Sequence, residues 1–518
     1  MLKPLEDSAT PAANPPAHRP LRGEARSVPL ATEEMPRALA RYMELFRRVF
    51  PRAETFGNAC AYVMGLLSAL PRKNGEKMAE AIEGVANTEA VHRFMALSPW
   101  SSEELDRLRV QHALSVAAEP GEWSALIFDE VSQLKQGKGS VGVKRQYLGS
   151  EGKTANGQVC VTAHYADRRY DWPVTGRLYL PEDWTEDTLR RERAGVPDDI
   201  VFATKAEIVR DLLRRALSWG VPVRWVFMDS GYDDMDMLDE MNALHLAFCI
   251  GIKRDFMVRV PAEIEAWVLP APAPRRGRPR KHVDPHSLPS VYRADEVLAG
   301  VPESAWKAVT YRLGTDGPLT KEFAAFRVQA ATTRRTGPDV WLLYERPLPG
   351  QHGETKYYVV SPRREISIEE LAQVAHRRPL IERNSYENGK GEVGLRDYQG
   401  RSWPGFHHHL SLAMLCLTWL NLQRQALPPG KPPLAPDAPP PSSAPSASPS
   451  TDVLTLRGRL LRLEVAAPSP VLLPIPRQLW ESVQEVRRRL TAWCAITVQR
   501  TLALRATPLP LPTFADLC

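Results

Sequence analysis

Three acidic residues have the types and settings that metal-dependent chemistry requires. Asp129 and Asp229 each follow a short apolar run, and Glu382 lies in the helix-like stretch 380–387. Short apolar runs are typical of buried strands, so we expect the two aspartates at strand ends and the glutamate on a later helix. Carboxylate oxygens are the ligands that Mg²⁺ prefers, and paired Mg²⁺ ions can cleave a phosphodiester bond. Because the chain has 61 acidic residues, the trio alone does not establish a site.

Longer motifs follow each of these acids in a fixed order. They comprise residues 135–149, 157–165 and 176–184 after Asp129, residues 230–232 after Asp229, and residues 390–395 and 400–409 after Glu382. Their order resembles that of the DDE transposases of bacterial insertion sequences, and is most similar to the insertion-sequence-701 group. The resemblance covers roughly residues 40–425. A series of ordered motifs is far more specific than any single pattern.

The resemblance implies a Mg²⁺-dependent DNA endonuclease and strand transferase. Such a transposase binds insertion-sequence ends, cleaves DNA by two-metal phosphodiester hydrolysis and joins the freed 3′-OH to target DNA. Asp129, Asp229 and Glu382 are then both the catalytic and the metal-binding residues, with Mn²⁺ as a substitute for Mg²⁺. Asp129 is preferred to Glu130 because adjacent side chains on a strand point to opposite faces, and because Asp129 matches the first acid of the family pattern.

The resemblance also implies the partners and the location of the protein. The partners are DNA, at the transposon ends and at the target, and further copies of the chain, as a homodimer or larger assembly on that DNA. The implied location is the bacterial cytoplasm, in association with the nucleoid. Two alternatives remain open: a catalytically inactive DNA-binding protein of transposase descent, and a cellular nuclease with an RNase H-like core.

Bulk composition agrees with this interpretation without requiring it. The chain of 518 residues has 67 Lys and Arg against 61 Asp and Glu, a net charge of +6, which favours polyanionic partners. Its six cysteines have no CxxC spacing, so neither a disulfide framework nor a zinc site is indicated. No apolar stretch reaches the ~18 residues of a membrane span, and we expect no membrane partner.

The third acidic motif departs from the family pattern, Tyr-x₂-Arg-x₃-Glu-x₆-Lys. Arg378 and Glu382 match, and Arg378 is therefore a candidate DNA contact. Ala375 replaces the tyrosine, which leaves open whether this copy is active.

The lysine of that pattern is also displaced. Lys390, the other candidate DNA contact in this motif, lies eight residues beyond Glu382 instead of seven. An eight-residue step turns about 80° around a helix, whereas seven residues turn about 20°. A helix bulge at 388–389 would restore the phase. Glu387 is the alternative third acid.

A basic segment between the first two predicted strands supplies four more candidate DNA contacts, Lys135, Lys138, Lys144 and Arg145. Its residues 137–142 fit the G-x-G-x-x-G pattern of dinucleotide-binding proteins. The sequence that follows lacks a helical apolar stripe, so no helix N-terminus is available for a pyrophosphate. We therefore interpret the segment as a hairpin loop near the metal site; a solvated turn is the alternative.

Two other clusters have simpler interpretations. Three consecutive histidines at 407–409 would point in directions about 100° apart on a helix, so they cannot converge on one metal ion and are expected to pack. The basic segment 275–281 resembles a minor-groove hook, although short basic loops are common.

The fold class expected is α/β, with an RNase H-like core interrupted by a β-rich insertion and preceded by an N-terminal all-helical domain. Within the core, apolar patterns predict the order strand-strand-strand-helix-strand-helix-strand. The predicted divisions are a disordered tail (1–30), a helical DNA-end-binding domain (31–118), the first part of the core (119–254), the β-rich insertion (255–367), the last core helices (368–426), a Pro/Ser/Ala-rich linker (427–452) and a small C-terminal segment (453–518).

Overall fold

The computed structural model describes residues 34–68, 70–82, 87–268, 291–314, 317–361, 366–378 and 387–426. The tail 1–30, the linker 427–452 and the C-terminal segment 453–518 lie outside the described residues. Glu382 and the basic segment 275–281 do as well.

The described part of the chain begins with helices, as the periodicity predicts. Polar N-caps start three of them: the side chains of Asn74, Asn87 and Ser101 each accept a hydrogen bond from a backbone N–H three residues on. The helices are α1 Glu34–Glu44, α2 Ala53–Leu67, α3 Gly75–Ala81, α4 Thr88–Leu97 and α5 Ser102–Val116, with a 3₁₀ turn at Arg47–Val49.

A mixed sheet follows. Its first four strands follow one another directly, and helices precede the fifth and the sixth strands. The elements are β1 Ala125–Leu134, β2 Lys144–Leu148, β3 Lys153–Ala166, β4 Asp171–Leu178, α6 Glu182–Thr185, α7 Thr188–Ala194, α8 Lys205–Ser218, β5 Trp225–Met228, α9 Met235–Ala243 and β6 Ala247–Gly251. β1 pairs antiparallel with β3 and parallel with β5, which in turn pairs parallel with β6. β3 also pairs with β2 along its first residues and with β4 along its last.

The predicted order of core elements is confirmed with three additions, which are the strand β2 and the short helices α6 and α7 between β4 and α8. Four strands precede α8 instead of three, because Lys144–Leu148 forms β2 within the segment interpreted as a loop. This strand is polar and mostly exposed, so it lacks the apolar alternation by which strands are found. Since a strand follows 137–142, the glycines do not open a helix, as expected.

The β-rich segment continues the same sheet. Its elements are β7 Met257–Arg259, α10 Ala262–Val268, β8 Tyr292–Arg293, α11 Ala294–Gly300, a 3₁₀ turn at Glu303–Ala305, β9 Lys307–Gly314, β10 Gly317–Ala331, β11 Thr336–Arg346 and β12 Lys356–Val360. β12 pairs antiparallel with β6, and the order across the sheet is β2-β3-β1-β5-β6-β12-β11-β10-β7-β8, with β4 beside β3 and β9 beside β10.

The last described elements are three helices, α12 Ile368–Ala375, α13 Glu387–Glu392 and α14 Trp403–Ala426. All residues of α14 from 408 to 421 are buried, as expected of a helix that packs on every side. It packs between the N-terminal helices and β4: Arg109 of α5 donates to the hydroxyl of Thr418 and to the carbonyl of Val174. None of the described helices is both long and apolar enough to cross a membrane.

The three histidines of α14 confirm the packing role. Each contacts a different part of the chain: His407 Nε2 accepts from the Leu178 amide at 3.4 Å, and His408 lies 2.7 Å from the carbonyl of Met95. His409 accepts from the Tyr62 hydroxyl at 2.8 Å. These bonds fasten α14 to its neighbours and leave no shared position for a metal ion.

The structure is therefore a mixed α/β fold. The N-terminal helices share one hydrophobic core with α14 and with one face of the sheet. The RNase H-like description and the domain boundaries stay predictions.

Candidate active site

The register of two parallel strands brings Asp129 and Asp229 together. β1 and β5 are aligned with an offset of 100 residues, beginning with Ala125 opposite Trp225. The interval between the aspartates is the same, 229 − 129 = 100. Continuing this register therefore places the two aspartates side by side, with their side chains on one face of the sheet.

The two aspartates differ in their position along the strand. Asp229 directly follows β5, as predicted. The prediction that Asp129 also ends a strand is wrong, because β1 continues to Leu134, paired with β3 as far as Gly157. The second half of β1 is mostly polar and is held as a strand by its pairing with β3. The apolar pattern therefore did not predict it. Asp129 nevertheless lies where the pairing of β1 with β5 ends.

A guanidinium group joins the two carboxylates. Arg378 Nη2 lies 3.6 Å from Asp129 Oδ1 and 3.3 Å from Asp229 Oδ2. The side chains of Arg378 and Asp129 are 18% and 19% exposed, whereas that of Asp229 is 54% exposed. Both carboxylates therefore face one cation at a partly open position.

The surrounding backbone orients each carboxylate. The amide of Glu130 donates to Asp129 Oδ1 at 2.8 Å, and the amide of Ser230 donates to Asp229 Oδ1 at 2.7 Å. On the other side of Asp229 lies Gly251 of β6, where a Cβ atom would stand 3.4 Å from Asp229 Oδ1 and 3.3 Å from the Ser230 amide. The missing side chain at Gly251 keeps the space beside the carboxylate open.

The segment that carries Arg378 is anchored by a buried polar cluster. Glu345 is fully buried, 2.9 Å from His376 Nε2 and 3.1 Å from the Tyr358 hydroxyl, and it also accepts from Lys321. Burial raises the pKa of Glu345, but its bonds to His376 and Lys321 outweigh this effect and lower the pKa to about 2. Glu345 is thus a fixed anion to which the chain is fastened two residues before Arg378.

The described carboxylates supply part of a metal-binding set. Within the described ranges, no group of three or more His, Cys, Asp or Glu side chains forms a metal centre. The third predicted acid, Glu382, falls in the gap 379–386. Asp129 and Asp229 fit two of the three ligands expected, since both are hard oxygen donors that already contact one cation.

The predicted DNA contacts of the basic segment fall into two groups. Lys138 and Arg145 are exposed. Lys144 forms an ion pair with Asp183 at 3.0 Å. Lys135 donates to the carbonyl of Tyr398, and burial lowers the pKa of Lys135 to about 8. Lys144 is paired with a carboxylate and Lys135 is bound to a carbonyl, so the four residues are not equivalent as DNA contacts.

The basic segment lies further along β1 than predicted. Lys135 is six residues beyond Asp129 (135 − 129 = 6). Six extended residues span about 20 Å. The segment can therefore contact DNA several base pairs from the aspartates, and not beside them, because β1 continues past Asp129.

Two arginines beside this segment were missed in the sequence. Arg190 of α7 donates to the carbonyl of Lys138 at 3.0 Å and stacks on the Trp184 ring at 3.6 Å. The Arg401 side chain lies against Gly139. Arg401 belongs to the 400–409 motif and could have been proposed on that ground; Arg190 has no sequence signal, since charged helices are common.

The two remaining predictions in the third motif concern α13. Lys390 lies on α13, and its side chain is outside what the structure describes. The backbone is α-helical through 388–389, so the bulge that would restore its phase is not observed. Gly389 packs against α14, where an added Cβ would lie 3.3 Å from Leu417. Neither Lys390 nor Glu387 is tested by these contacts.

Comparison with known proteins identifies the class. The family model for the DDE superfamily endonuclease matches residues 45–318, which include both aspartates. The chain belongs to this family of DDE endonucleases.

One similar relative is described as a transposase of an insertion sequence. The chain is 32% identical over 225 residues to the probable transposase for insertion sequence element IS701 of Microchaete diplosiphon, over 42% of this chain and 54% of that one. The match therefore spans about half the length of that relative. A piggyBac transposase synaptic complex with hairpin DNA aligns over 89% of this chain and 77% of that chain, at 10% identity and a TM-score of 0.38, too low to support an argument.

Proposed function

We propose that the protein is an insertion-sequence transposase that binds transposon ends, cleaves DNA and joins the freed 3′-OH to target DNA. The observation that carries the proposal is the in-register pair Asp129 and Asp229, whose carboxylates meet one cationic group. The family match and the IS701-type relative agree with it.

In this proposal the two aspartates, with Glu382 as the third ligand, hold Mg²⁺ or Mn²⁺. The bound ions supply activation of the attacking water or 3′-OH and stabilisation of the leaving oxygen. The chain's own part is to hold the carboxylates on one face of the sheet. Arg378 offsets part of their charge in the DNA-free chain, and we assign it to a DNA phosphate when the ions are bound.

We also assign the RNase H-like core and the DNA path. The strands β4, β3 and β1 are antiparallel neighbours, followed by β5 and β6 parallel to β1, and these five strands are the proposed core. Lys138 and Arg145, together with Arg190 and Arg401, form the proposed surface for the DNA backbone. Such contacts position DNA without reading its sequence.

The test replaces each aspartate in the full chain. Asp129→Asn and Asp229→Asn keep the side-chain shape but remove its charge, so both should abolish Mg²⁺-dependent nicking of a plasmid carrying the DNA that flanks the gene, while end binding stays near that of the wild type. Asp198→Asn, at an exposed position on the loop after α7, is the matched control and should nick normally. Retained nicking by either site variant would remove that residue from the site.

The two other functions are outcomes of the same experiment. If the wild-type chain binds the ends but neither nicks nor joins DNA with Mg²⁺ or Mn²⁺, it is an inactive DNA-binding descendant, in line with Ala375 at the motif tyrosine. If it cleaves branched or RNA-containing substrates with no preference for the ends, it is a cellular nuclease.

A further inference from the structure

A second polar group lies directly behind the aspartates, on the opposite face of the sheet. Glu130 accepts a hydrogen bond from Lys205 Nζ at 2.7 Å and another from the Tyr232 hydroxyl at 3.2 Å. Tyr232 is only 2% exposed. The side chains of Lys205 and Glu130 are 29% and 24% exposed, so the pair is shielded more than a surface ion pair.

This group connects the chain segments that carry the two aspartates. The backbone pairing of β1 with β5 runs from Ala125 opposite Trp225 to Ile127 opposite Phe227, two residues short of the aspartates. The ladder therefore does not itself fix the distance between the two carboxylates.

The chain after Asp229 makes a turn that the tyrosine closes. The Tyr232 amide donates to the Asp229 carbonyl at 3.2 Å. Its side chain then packs in the apolar core on the other face of the sheet and reaches Glu130, the residue after Asp129. One hydrogen bond thus links the turn of one aspartate to the strand position next to the other.

We propose that Glu130 and Tyr232 are positioning residues that set the separation of Asp129 and Asp229. This inference rests on the proposed function of the aspartate pair. Lys205 compensates the charge of Glu130 from the first turn of α8, whose start is fixed by a capping box between Thr204 and Glu207. Catalytic groups must be held to within about 0.5 Å, so a loosened turn would weaken the shared ion site before it unfolded the sheet.

A purely structural role predicts a different result, and a matched tyrosine separates the two. Tyr232→Phe keeps the buried ring and removes only the hydroxyl. Tyr344→Phe does the same at a fully buried tyrosine of β11, whose hydroxyl donates to the Ala294 carbonyl at 2.8 Å. Each variant loses one buried hydrogen bond, so their melting temperatures should fall by similar amounts.

Two quantities are measured. The first is Mn²⁺ binding to the full chain, monitored through the Mn²⁺ electron paramagnetic resonance signal. The second is the Mn²⁺ dependence of plasmid nicking. Tyr232→Phe should raise the half-saturating Mn²⁺ concentration about tenfold, the order expected when one hydrogen bond is lost. Excess Mn²⁺ should restore most of the nicking rate. Tyr344→Phe should keep the wild-type Mn²⁺ dependence. Glu130→Gln retains a hydrogen-bond acceptor for Tyr232 on a side chain of equal length. Its half-saturating Mn²⁺ concentration should lie between those of the wild type and Tyr232→Phe.

Equal Mn²⁺ dependence in Tyr232→Phe and Tyr344→Phe would overturn the positioning role. Failure of the underlying function gives a different pattern: Asp129→Asn would then bind Mn²⁺ and nick DNA like the wild type. If Asp129→Asn loses Mn²⁺ binding and nicking while Tyr232→Phe keeps both, the proposed function stands and the positioning role is wrong.

Discussion

Replacement of Arg378 by Met should strengthen divalent-ion binding while it weakens DNA cleavage. The guanidinium lies 3.6 Å from Asp129 Oδ1 and 3.3 Å from Asp229 Oδ2, so a metal ion must compete with its charge. Each contact contributes about 1 kcal/mol at the dielectric constant of water. Two contacts give about 2 kcal/mol, or roughly 30-fold in affinity, and screening at the half-exposed Asp229 lowers this toward about fivefold.

The assay is Mn²⁺ titration of the DNA-free chain, with nicking measured in parallel. Arg377→Met is the control, because the neighbouring guanidinium lies over the Trp123 ring at 3.6 Å and not over the carboxylates. The control should leave the Mn²⁺ affinity unchanged. Unchanged or weaker Mn²⁺ binding in Arg378→Met would refute the reasoning, since it would mean that this arginine does not compete for the carboxylates.

Three further predictions use other contacts of the fold. Gly251→Ala should raise the Mn²⁺ concentration for half-maximal nicking severalfold without unfolding the chain, because its Cβ would stand 3.3 Å from the Ser230 amide nitrogen that donates to Asp229 Oδ1. Arg109→Met should lower the urea-measured free energy of unfolding by about 3–5 kcal/mol, since it leaves the buried Asp106 without its cation. Burial lowers the pKa of His409 to about 4, so the unfolded chain binds a proton first and stability falls as the pH drops below about 6.5. This histidine should account for about 2 kcal/mol of the stability lost between neutral pH and pH 5, and His409→Gln should reduce that loss by the same amount.

The two aspartates of the proposed site can be selected from the sequence, whereas their geometry cannot be. Both residues follow apolar runs, which are visible without a structure. Their alignment depends on which strands pair and in what register, and register is a property of contacts far apart in the chain. The continuation of β1 past Asp129 has the same origin, since Glu130 to Leu134 are held as a strand by their pairing with β3.

Packing between the helices and the sheet was less predictable. The apolar spacing of α2 and α5 indicates a buried stripe but not its partner. In the structure the partner is α14, more than 300 residues later, as the Tyr62 to His409 bond shows (409 − 62 = 347). Arg109 illustrates the limit: a charged residue on a helix is ordinarily exposed, yet this one is fully buried, and its two terminal nitrogens donate to Asp106, β4 and α14.

The β-rich segment explains how distant residues reach the aspartates. Arg378 lies 149 residues beyond Asp229 (378 − 229 = 149), a separation that would leave its position open if the intervening chain were an independent module. Instead β12 returns beside β6, with Tyr358 opposite Gly251, and Gly251 in turn lies against Asp229. The end of the segment is therefore fixed at the site, and Glu345 fastens His376 to the same sheet. The β-rich segment therefore belongs to the sheet that carries the aspartates, and its contacts help to position Arg378 beside them.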